Sequence, residues 1–287
     1  MFDPKTNKFP YPIDTDKHYL VVKENRGIVF DENYPYIDTS KEFLRKYNSF
    51  RFLTRLIGYP VIAIRFALKV KGKKNLKKHE EELKKGFVNV CNHVNMCDFI
   101  PITSILHKYK LMFLSWGPNV NGENGKMIRK LGGAPIPDQS FRAKTVCFKE
   151  IIDHIKNGGA FHLYPEGSMW EFYQPIRPLK DGAAYFSIKS GRPILPMAYS
   201  YRKNGFIRSK IFKSIAKFTL NIGEPIYPDL TLPLKEAEEK LTIEVHEAMC
   251  RLAGIDPKEN IYPPIYNNSK RIDYYTDTYG VGYKKSW

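Results

Sequence analysis

The chain is predicted to be an α/β protein, with a largely parallel sheet flanked by helices and an N-terminal amphipathic helical segment. Three observations predict it. From residue 86 onward, short apolar runs alternate with longer runs of helical period, the order that lays helices against a parallel sheet. Glycines stand where those helices should end, at Gly158-Gly159 and Gly191. The 287 residues, 43% of them hydrophobic, are enough for a sizeable core in one large or two small domains and are unlike a disordered chain.

Residues 1–38 are rich in Pro and Tyr and show no period, so they read as an ordered arm or loose extension. Thr39-x-x-Glu42 has the spacing of a capping box and should open a helix. There Phe43, Tyr47, Phe50 and Ile57 fall on one side with Leu44 and Leu53 beside them; Lys41, Arg45, Lys46, Arg51 and Arg55 are interspersed on the polar side. A basic amphipathic helix with bulky apolar residues fits an anionic membrane surface. The plainer alternative is a helix packed on the domain. The stretch "GYPVIAIRFALKV", 58–70, is apolar but too short to span a bilayer, and it carries Pro60 and Arg65. It continues an interfacial hairpin or is buried. The charge run "KGKKNLKKHEEELKK", 71–85, reads as a solvated loop and helix face.

Strands are expected at 87–91, 111–116, 133–137, 160–164, 193–199 and 217–222, and helices near 96–108, 124–131, 140–157, 182–190 and 234–253. The division is then 1–69, an N-terminal arm and membrane-surface helical segment; 70–254, the α/β domain; and 255–287, a tail that holds six of the 19 tyrosines.

Charge narrows the partners. Lys plus Arg number 46 against 30 for Asp plus Glu, a net +16, which calls for a polyanionic partner: nucleic acid, an anionic membrane surface or a phosphorylated substrate. No nucleic-acid motif is present and the basic residues are spread along the chain, so no nucleic acid is expected. Four cysteines at irregular spacing give no disulfide framework and point to a reducing compartment. The start "MFDPKTNKFPYPIDTDKHY" is polar and does not read as a signal peptide, and no run of about 18 apolar residues predicts a spanning helix.

In such sheets the loops leaving the carboxyl ends of strands carry the chemistry. The first is in "VNVCNHVNMCDFIP", 88–101, where His93 and Asp98 stand five residues apart. Inside one helix, five steps of about 100° would leave the two side chains diverging by about 140°. They converge only if the helix begins between them, and Asn95 can cap it. The Asp98 carboxylate then reaches back to the imidazole. The same spacing, N-x-x-D, fits a plain cap in which Asp98 only closes the helix start. Cys91, His93, Cys97 and Asp98 match no common zinc spacing, so no metal is expected. The other unusual loops are "GGAPIPDQSFRAK", 132–144, and "LYPEGSMW", 163–170, followed by "PLKDGAAYFS", 178–187.

The order and spacing of these motifs resemble the PlsC-type glycerolipid acyltransferases, typified by 1-acylglycerol-3-phosphate acyltransferases, from about Val70 to Ile226. The first motif of that family, Asn-His, four residues and Asp, matches Asn92, His93 and Asp98. Its third, aromatic-Pro-Glu-Gly and a small hydroxyl residue, matches Tyr164, Pro165, Glu166, Gly167 and Ser168. The Lys-x-Gly-Ala that follows matches Lys180, Gly182 and Ala183, and a Pro-centred motif matches Pro193 and Pro196. Two places depart. An arginine that the resemblance assigns to the acceptor's phosphate is replaced by Met169, and an Asp-Arg pair by Asp138-Gln139. Arg142, Arg177 or Lys180 is then the substitute cation, or the acceptor carries no phosphomonoester.

What the resemblance implies is acyl transfer from an acyl thioester, acyl-CoA or acyl carrier protein, to a lysophospholipid hydroxyl, with no cofactor. The implied acceptor is 1-acylglycerol-3-phosphate and the product phosphatidic acid. The implied place is the cytoplasmic face of a membrane, held peripherally. His93 is the expected general base and Asp98 its orienting partner. Asn92, Glu166, Gly167, Ser168, Arg142 and Lys180 are expected to bind substrate. No G-x-S-x-G elbow is present, so no serine nucleophile is expected.

Overall fold

The structure, a computed structural model, describes residues 22–138, 140–173, 175–202, 216–258 and 260. The expectations for the arm before residue 22, for Gln139 and for the tail from 261 lie outside the described residues.

Helix α1 spans Lys41–Leu53 and is capped by Ser40 rather than Thr39: the Ser40 Oγ accepts the Phe43 N–H at 3.2 Å. Glu42 pairs with Lys46 one turn on. The cap is displaced by one residue and, with Phe43 at the third helical position, the expected box does not form. A π turn, Thr54–Gly58, runs directly into α2, Tyr59–Arg65. Pro60 explains the turn. It offers no N–H to the Leu56 carbonyl and its ring crowds that carbonyl, so the Tyr59 N–H reaches five residues back to Thr54.

The inserted residue rotates everything after it. Tyr47 is buried and Phe43 and Phe50 pack on the core, but Leu53 and Ile57 are exposed. The single apolar side expected through Phe43, Tyr47, Phe50 and Ile57 is therefore divided. Its first part docks on the domain, while the exposed apolar row is Phe52, Leu53, Leu56, Ile57, Val61 and Ile64. Arg51, expected on the polar side, turns inward. Its guanidinium donates to the Thr103 and Leu106 carbonyls, each at 3.2 Å, and to the Tyr109 carbonyl at 2.8 Å. The first two of these carbonyls lie at the C-terminal end of a helix, where a cation is favourable.

Among the described residues the sheet has seven strands: β1 Lys69–Lys71, β2 Phe87–Val90, β3 Leu111–Trp116, β4 Gly133–Ile136, β5 Ala160–Leu163, β6 Ile194–Arg202 and β7 Lys217–Ile222. Their order is β1-β7-β6-β2-β5-β3-β4, parallel except for the β6–β7 pair. The edge strand β1 is only three residues long, with Val70 its one apolar member, too short for a period to mark it in the sequence. The helices that follow α2 are α3 Lys73–Lys78, α4 Glu80–Leu83, α5 Phe99–Ile105, α6 Gly117–Asn121, α7 Gly125–Lys130, α8 Phe141–Lys156, α9 Gly182–Ser190 and α10 Leu234–Ala253.

The sheet separates two cores. Phe87 and Cys91 join Ile62, Phe66, Phe99 and Ile102 on one face. Val88 and Val90 join Ile151, Phe186, Leu241 and Val245, from α8, α9 and α10, on the other. Every residue of β2 and β5 is buried, as expected of central parallel strands covered on both sides. These two strands pair directly, Val90 opposite Leu163. From their carboxyl ends the chain runs on in opposite directions along the sheet, β2 towards β3 and β5 towards β6. Two loops thus meet where ligands bind in open α/β sheets.

Candidate active site

The loop leaving β2 is fixed at its root by Asn92. This side chain is fully buried: its Oδ1 accepts the Tyr199 N–H at 2.7 Å and its Nδ2 donates to the Tyr199 carbonyl at 3.2 Å. Both amide groups, expected to meet substrate, are therefore used to stitch the loop to β6.

Beyond Asn92 the chain turns before it becomes helical. Helix α5 starts at Phe99, three residues later than 96, and Asp98 is its cap residue. The Asn95 side chain caps no helix. Its Oδ1 accepts the Cys97 N–H at 3.0 Å, closing a tight local turn. The Asp98 carboxylate caps nothing in α5 and points back into the loop. Its Oδ2 accepts from His93 Nδ1 at 2.9 Å, from the Val94 N–H at 2.8 Å and from the Asn95 N–H at 3.0 Å. Its Oδ1 accepts the Tyr164 hydroxyl at 2.5 Å. Four donors on one buried carboxylate fix its orientation. Of the two alternatives for this spacing, convergence is the one realised.

His93 keeps about a quarter of its side chain exposed while Asp98 has none exposed. The Tyr164 ring lies parallel over the imidazole, centroids 3.8 Å apart and planes 9° apart. With Nδ1 on Asp98, the free edge of the ring is Nε2, which takes no hydrogen bond from any described residue. An imidazole held by a carboxylate on Nδ1 and open at Nε2 is arranged to accept a proton there.

The loop leaving β5 braces this unit. Tyr164 to Gly167 form a turn closed by the Gly167 N–H on the Tyr164 carbonyl at 3.0 Å. Gly167 has φ +83°, and a side chain there would meet Lys180 Cε at 2.9 Å, so the position admits only glycine without rearrangement. Its N–H is committed to the turn rather than open to an oxyanion. Glu166 is buried; its Oε2 accepts the His93 main-chain N–H at 3.2 Å and Arg177 Nη2 at 3.1 Å, and its Oε1 accepts the Arg177 N–H at 2.8 Å. Arg177 also donates from Nη1 to Ser168 Oγ at 2.9 Å and from Nη2 to the Ser168 carbonyl, and its guanidinium lies 4.6 Å from the Trp170 ring. Two further main-chain bonds lace the loops together: the Trp170 N–H to the His93 carbonyl at 3.1 Å and the Phe172 N–H to the Val94 carbonyl at 2.8 Å.

The cations that were expected to replace the missing arginine separate here. Arg177 is 1% exposed and belongs to the Glu166 bracket. Arg142 is exposed, in the first turn of α8, and lies 3.7 Å from Glu32 of the N-terminal segment. Lys180 is exposed, lies across Gly167, and has its main chain tied to the same turn through the Pro165 carbonyl at 2.8 Å. Met169 is buried.

Surrounding groups are held uncharged by burial. His162, on β5, is pushed down to about 3; its Nδ1 donates to Asn89 Oδ1 at 2.7 Å and its ring sits edge-on to Tyr164 at 4.5 Å. Burial, with Asp98 nearby, pushes the Cys91 thiol and the Tyr164 and Tyr199 hydroxyls well above their ordinary values. Among the described residues no three His, Cys, Asp or Glu side chains converge as a metal site.

The sequence missed the Tyr164 hydroxyl and Tyr199, and it offered Arg177 as a substrate cation rather than as the partner of Glu166. Tyr164 carried a signal, since an aromatic residue beside Pro-Glu-Gly with a hydroxyl differs from one without. Arg177 lies eleven residues from Glu166 across an irregular loop, and no periodicity connects them.

Comparison with known proteins finds similarity over the same segment. Residues 67–200 match the family model described as Acyltransferase. The chain is 23% identical over 164 residues to the chloroplastic 1-acyl-sn-glycerol-3-phosphate acyltransferase BAT2 of Brassica napus, covering 57% of this chain and 45% of that protein. It thus spans under half the length of that relative. A solved structure, the 1-acyl-sn-glycerophosphate acyltransferase PlsC from Thermotoga maritima, is similar with a TM-score of 0.42 and 22% identity, covering 74% of this chain and 84% of that one. The family match takes in β2, the His93 loop, the Glu166 bracket and Tyr199.

Proposed function

We propose that this chain is an O-acyltransferase working at a membrane surface, which moves an acyl chain from an acyl thioester to the hydroxyl of a lysophospholipid. The observation that carries the reading is the His93–Asp98 contact, 2.9 Å at Nδ1 with Nε2 left open at a half-buried ring. A lipid hydroxyl attacks a thioester poorly at neutral pH. With Nε2 taking its proton during attack, the oxygen adds to the thioester carbonyl, and Asp98 stabilises the imidazolium that forms. The proton then passes to the departing thiolate. The donor, acyl-CoA or acyl carrier protein, is a substrate, and no cofactor takes part in the proposed reaction.

The acceptor we propose is 1-acylglycerol-3-phosphate, giving phosphatidic acid. Lys180, exposed and set across the Pro-Glu-Gly turn, is the cation that supports a phosphate here. The buried Met169 favours a second reading, a neutral or diester lysolipid seated against an apolar wall. The exposed row Phe52, Leu53, Leu56, Ile57, Val61 and Ile64, flanked by the exposed Arg45, Lys46, Arg55 and Arg65, supports peripheral attachment to an anionic leaflet, on the side of the membrane where acyl thioesters are held. No helix among the described residues is long and apolar enough to cross a membrane.

The test offers labelled acyl-CoA and acyl carrier protein to the purified chain with a panel of lysolipids and identifies products by mass. Phosphatidic acid as the main product is expected. Acylation of a neutral or diester lysolipid alone would favour the second reading, and no acyl product from any pairing would refute both.

A further inference from the structure

Tyr164 touches both members of the His93–Asp98 pair. Its ring covers one face of the imidazole at 3.8 Å, and its hydroxyl donates to Asp98 Oδ1 at 2.5 Å. The other carboxylate oxygen carries His93 Nδ1 and the N–H groups of Val94 and Asn95. Every donor on a carboxylate draws negative charge away from the remaining partners. A protonated His93 relies on that same carboxylate for its countercharge.

We propose that Tyr164 is a positioning residue that sets the proton affinity of His93 through Asp98: its ring fixes the imidazole and its hydroxyl weakens the carboxylate as a countercharge. The two actions are separable. A phenylalanine keeps the stacked face and whatever that face contributes to a cation, and it removes only the O–H donor.

The other groups facing this pair are accounted for. Tyr164 itself stays protonated, because burial and Asp98 push its hydroxyl well above the ordinary range. Behind it on β5, His162 is kept neutral by burial. On β6, Tyr199 donates its hydroxyl to the Asp98 main-chain carbonyl at 2.7 Å and is also held protonated. Cys91 at the end of β2 and Cys97 in the loop are both pushed up by burial. Glu166 faces the His93 main chain and is paired with Arg177. Glu171, raised by burial, accepts from Asn95 Nδ2 at 3.4 Å, and Arg65 of α2 acts on Cys97 and Glu171.

The inference rests on His93 being the base of the proposed acyl transfer, yet its test reads the imidazole directly. The ring Cε1–H resonance of His93, assigned by its absence in His93→Ala, is followed against pH by NMR in the full chain without substrate. In Tyr164→Phe the midpoint should rise by about 0.5–1 pH unit, a three- to tenfold gain in proton affinity. The acidic limb of kcat/KM should move by the same amount. Replacing Tyr164 with 3-fluorotyrosine, a stronger donor of the same shape, should move the midpoint the other way, and it serves if the phenylalanine variant does not fold. A merely structural role would lower Tm and plateau rate without moving the midpoint. An unmoved midpoint in both variants, or shifts of the opposite sign, would overturn the proposal. Shifted midpoints in a chain that transfers no acyl group would leave it standing and remove the functional reading instead.

Discussion

The carboxylate of Glu166 accepts the main-chain N–H of His93 at 3.2 Å, and with the same oxygen it holds the Arg177 guanidinium at 3.1 Å. A buried ion pair is therefore the clamp that sets the position of the histidine loop against the Pro-Glu-Gly loop. Among the described residues the polar contacts of the Glu166 carboxylate, expected to meet substrate, are with His93 and Arg177.

Arg177→Met should accordingly cost about 3–5 kcal/mol, since it leaves a buried carboxylate unpaired. Glu166→Gln should also destabilise the fold. The double variant should cost clearly less than the sum, with a coupling of at least about 2 kcal/mol in a double-mutant cycle by urea denaturation. Additive losses would show that the two side chains do not support one another.

His93→Ala should lower kcat/KM by at least about 1,000-fold, the upper range of general-base effects, with Tm nearly unchanged because the ring is partly exposed. Asp98→Asn differs. The amide cannot accept from all four donors, and its NH2 would face one of them. It should lose both activity and about 1–3 kcal/mol of stability. Thermal unfolding beside steady-state rates separates the two; an Asp98→Asn variant as stable as wild type would contradict the four-donor geometry.

Leu56→Asp with Val61→Asp should abolish binding to anionic vesicles and leave Tm within a few degrees, because both side chains are exposed. Phe50→Asp, by contrast, should destabilise the protein, since Phe50 packs on the core. Vesicle flotation with calorimetry checks both. Undiminished flotation of the double variant would dismiss this row as the membrane contact.

At the missing arginine, Met169→Arg should lower Tm by several degrees, because it places a cation at a buried position. Lys180→Ala should raise the KM for 1-acylglycerol-3-phosphate about tenfold or more, the range for a charged hydrogen bond, with little effect on a neutral lysolipid. Arg142→Ala, removing an exposed group near Glu32, should change that KM less. A larger effect at Arg142 than at Lys180 would reverse the assignment.

Acidification should destabilise the fold through His162. Burial lowers its folded pKa to about 3 from 6.5, so below about 6.5 the unfolded chain binds a proton that the folded chain refuses. Stability therefore falls as pH drops from 6.5 towards 3. From pH 7 to 5 this one group should cost about 2 kcal/mol by linkage. In His162→Gln the loss over that interval should be smaller by about the same amount in urea titrations. Equal losses in both proteins would mean that His162 is not the acid-sensitive group.

The sequence by itself determined most of the secondary structure of the domain and the meeting of His93 with Asp98. Six of the strands follow from apolar runs bounded by turns, and α9 and α10 begin and end where their patterns do. His93 and Asp98 were legible because a local constraint, five residues spanning a helix start, leaves few ways for them to meet. What lay beyond local spacing was decided only by the fold. The N-terminal helix reads as one amphipathic face, but Pro60 inserts a π turn, and docking of Tyr47 and Arg51 on the domain selects which apolar residues remain outside. The β2–β5 pairing brings Tyr164 and Glu166 to a loop more than sixty residues earlier in the chain. Desolvation makes each buried charge there need a partner, and Arg177 is paired with Glu166. Spacing along a chain cannot carry that information, because pairing and burial act through space between segments whose separation in sequence is arbitrary.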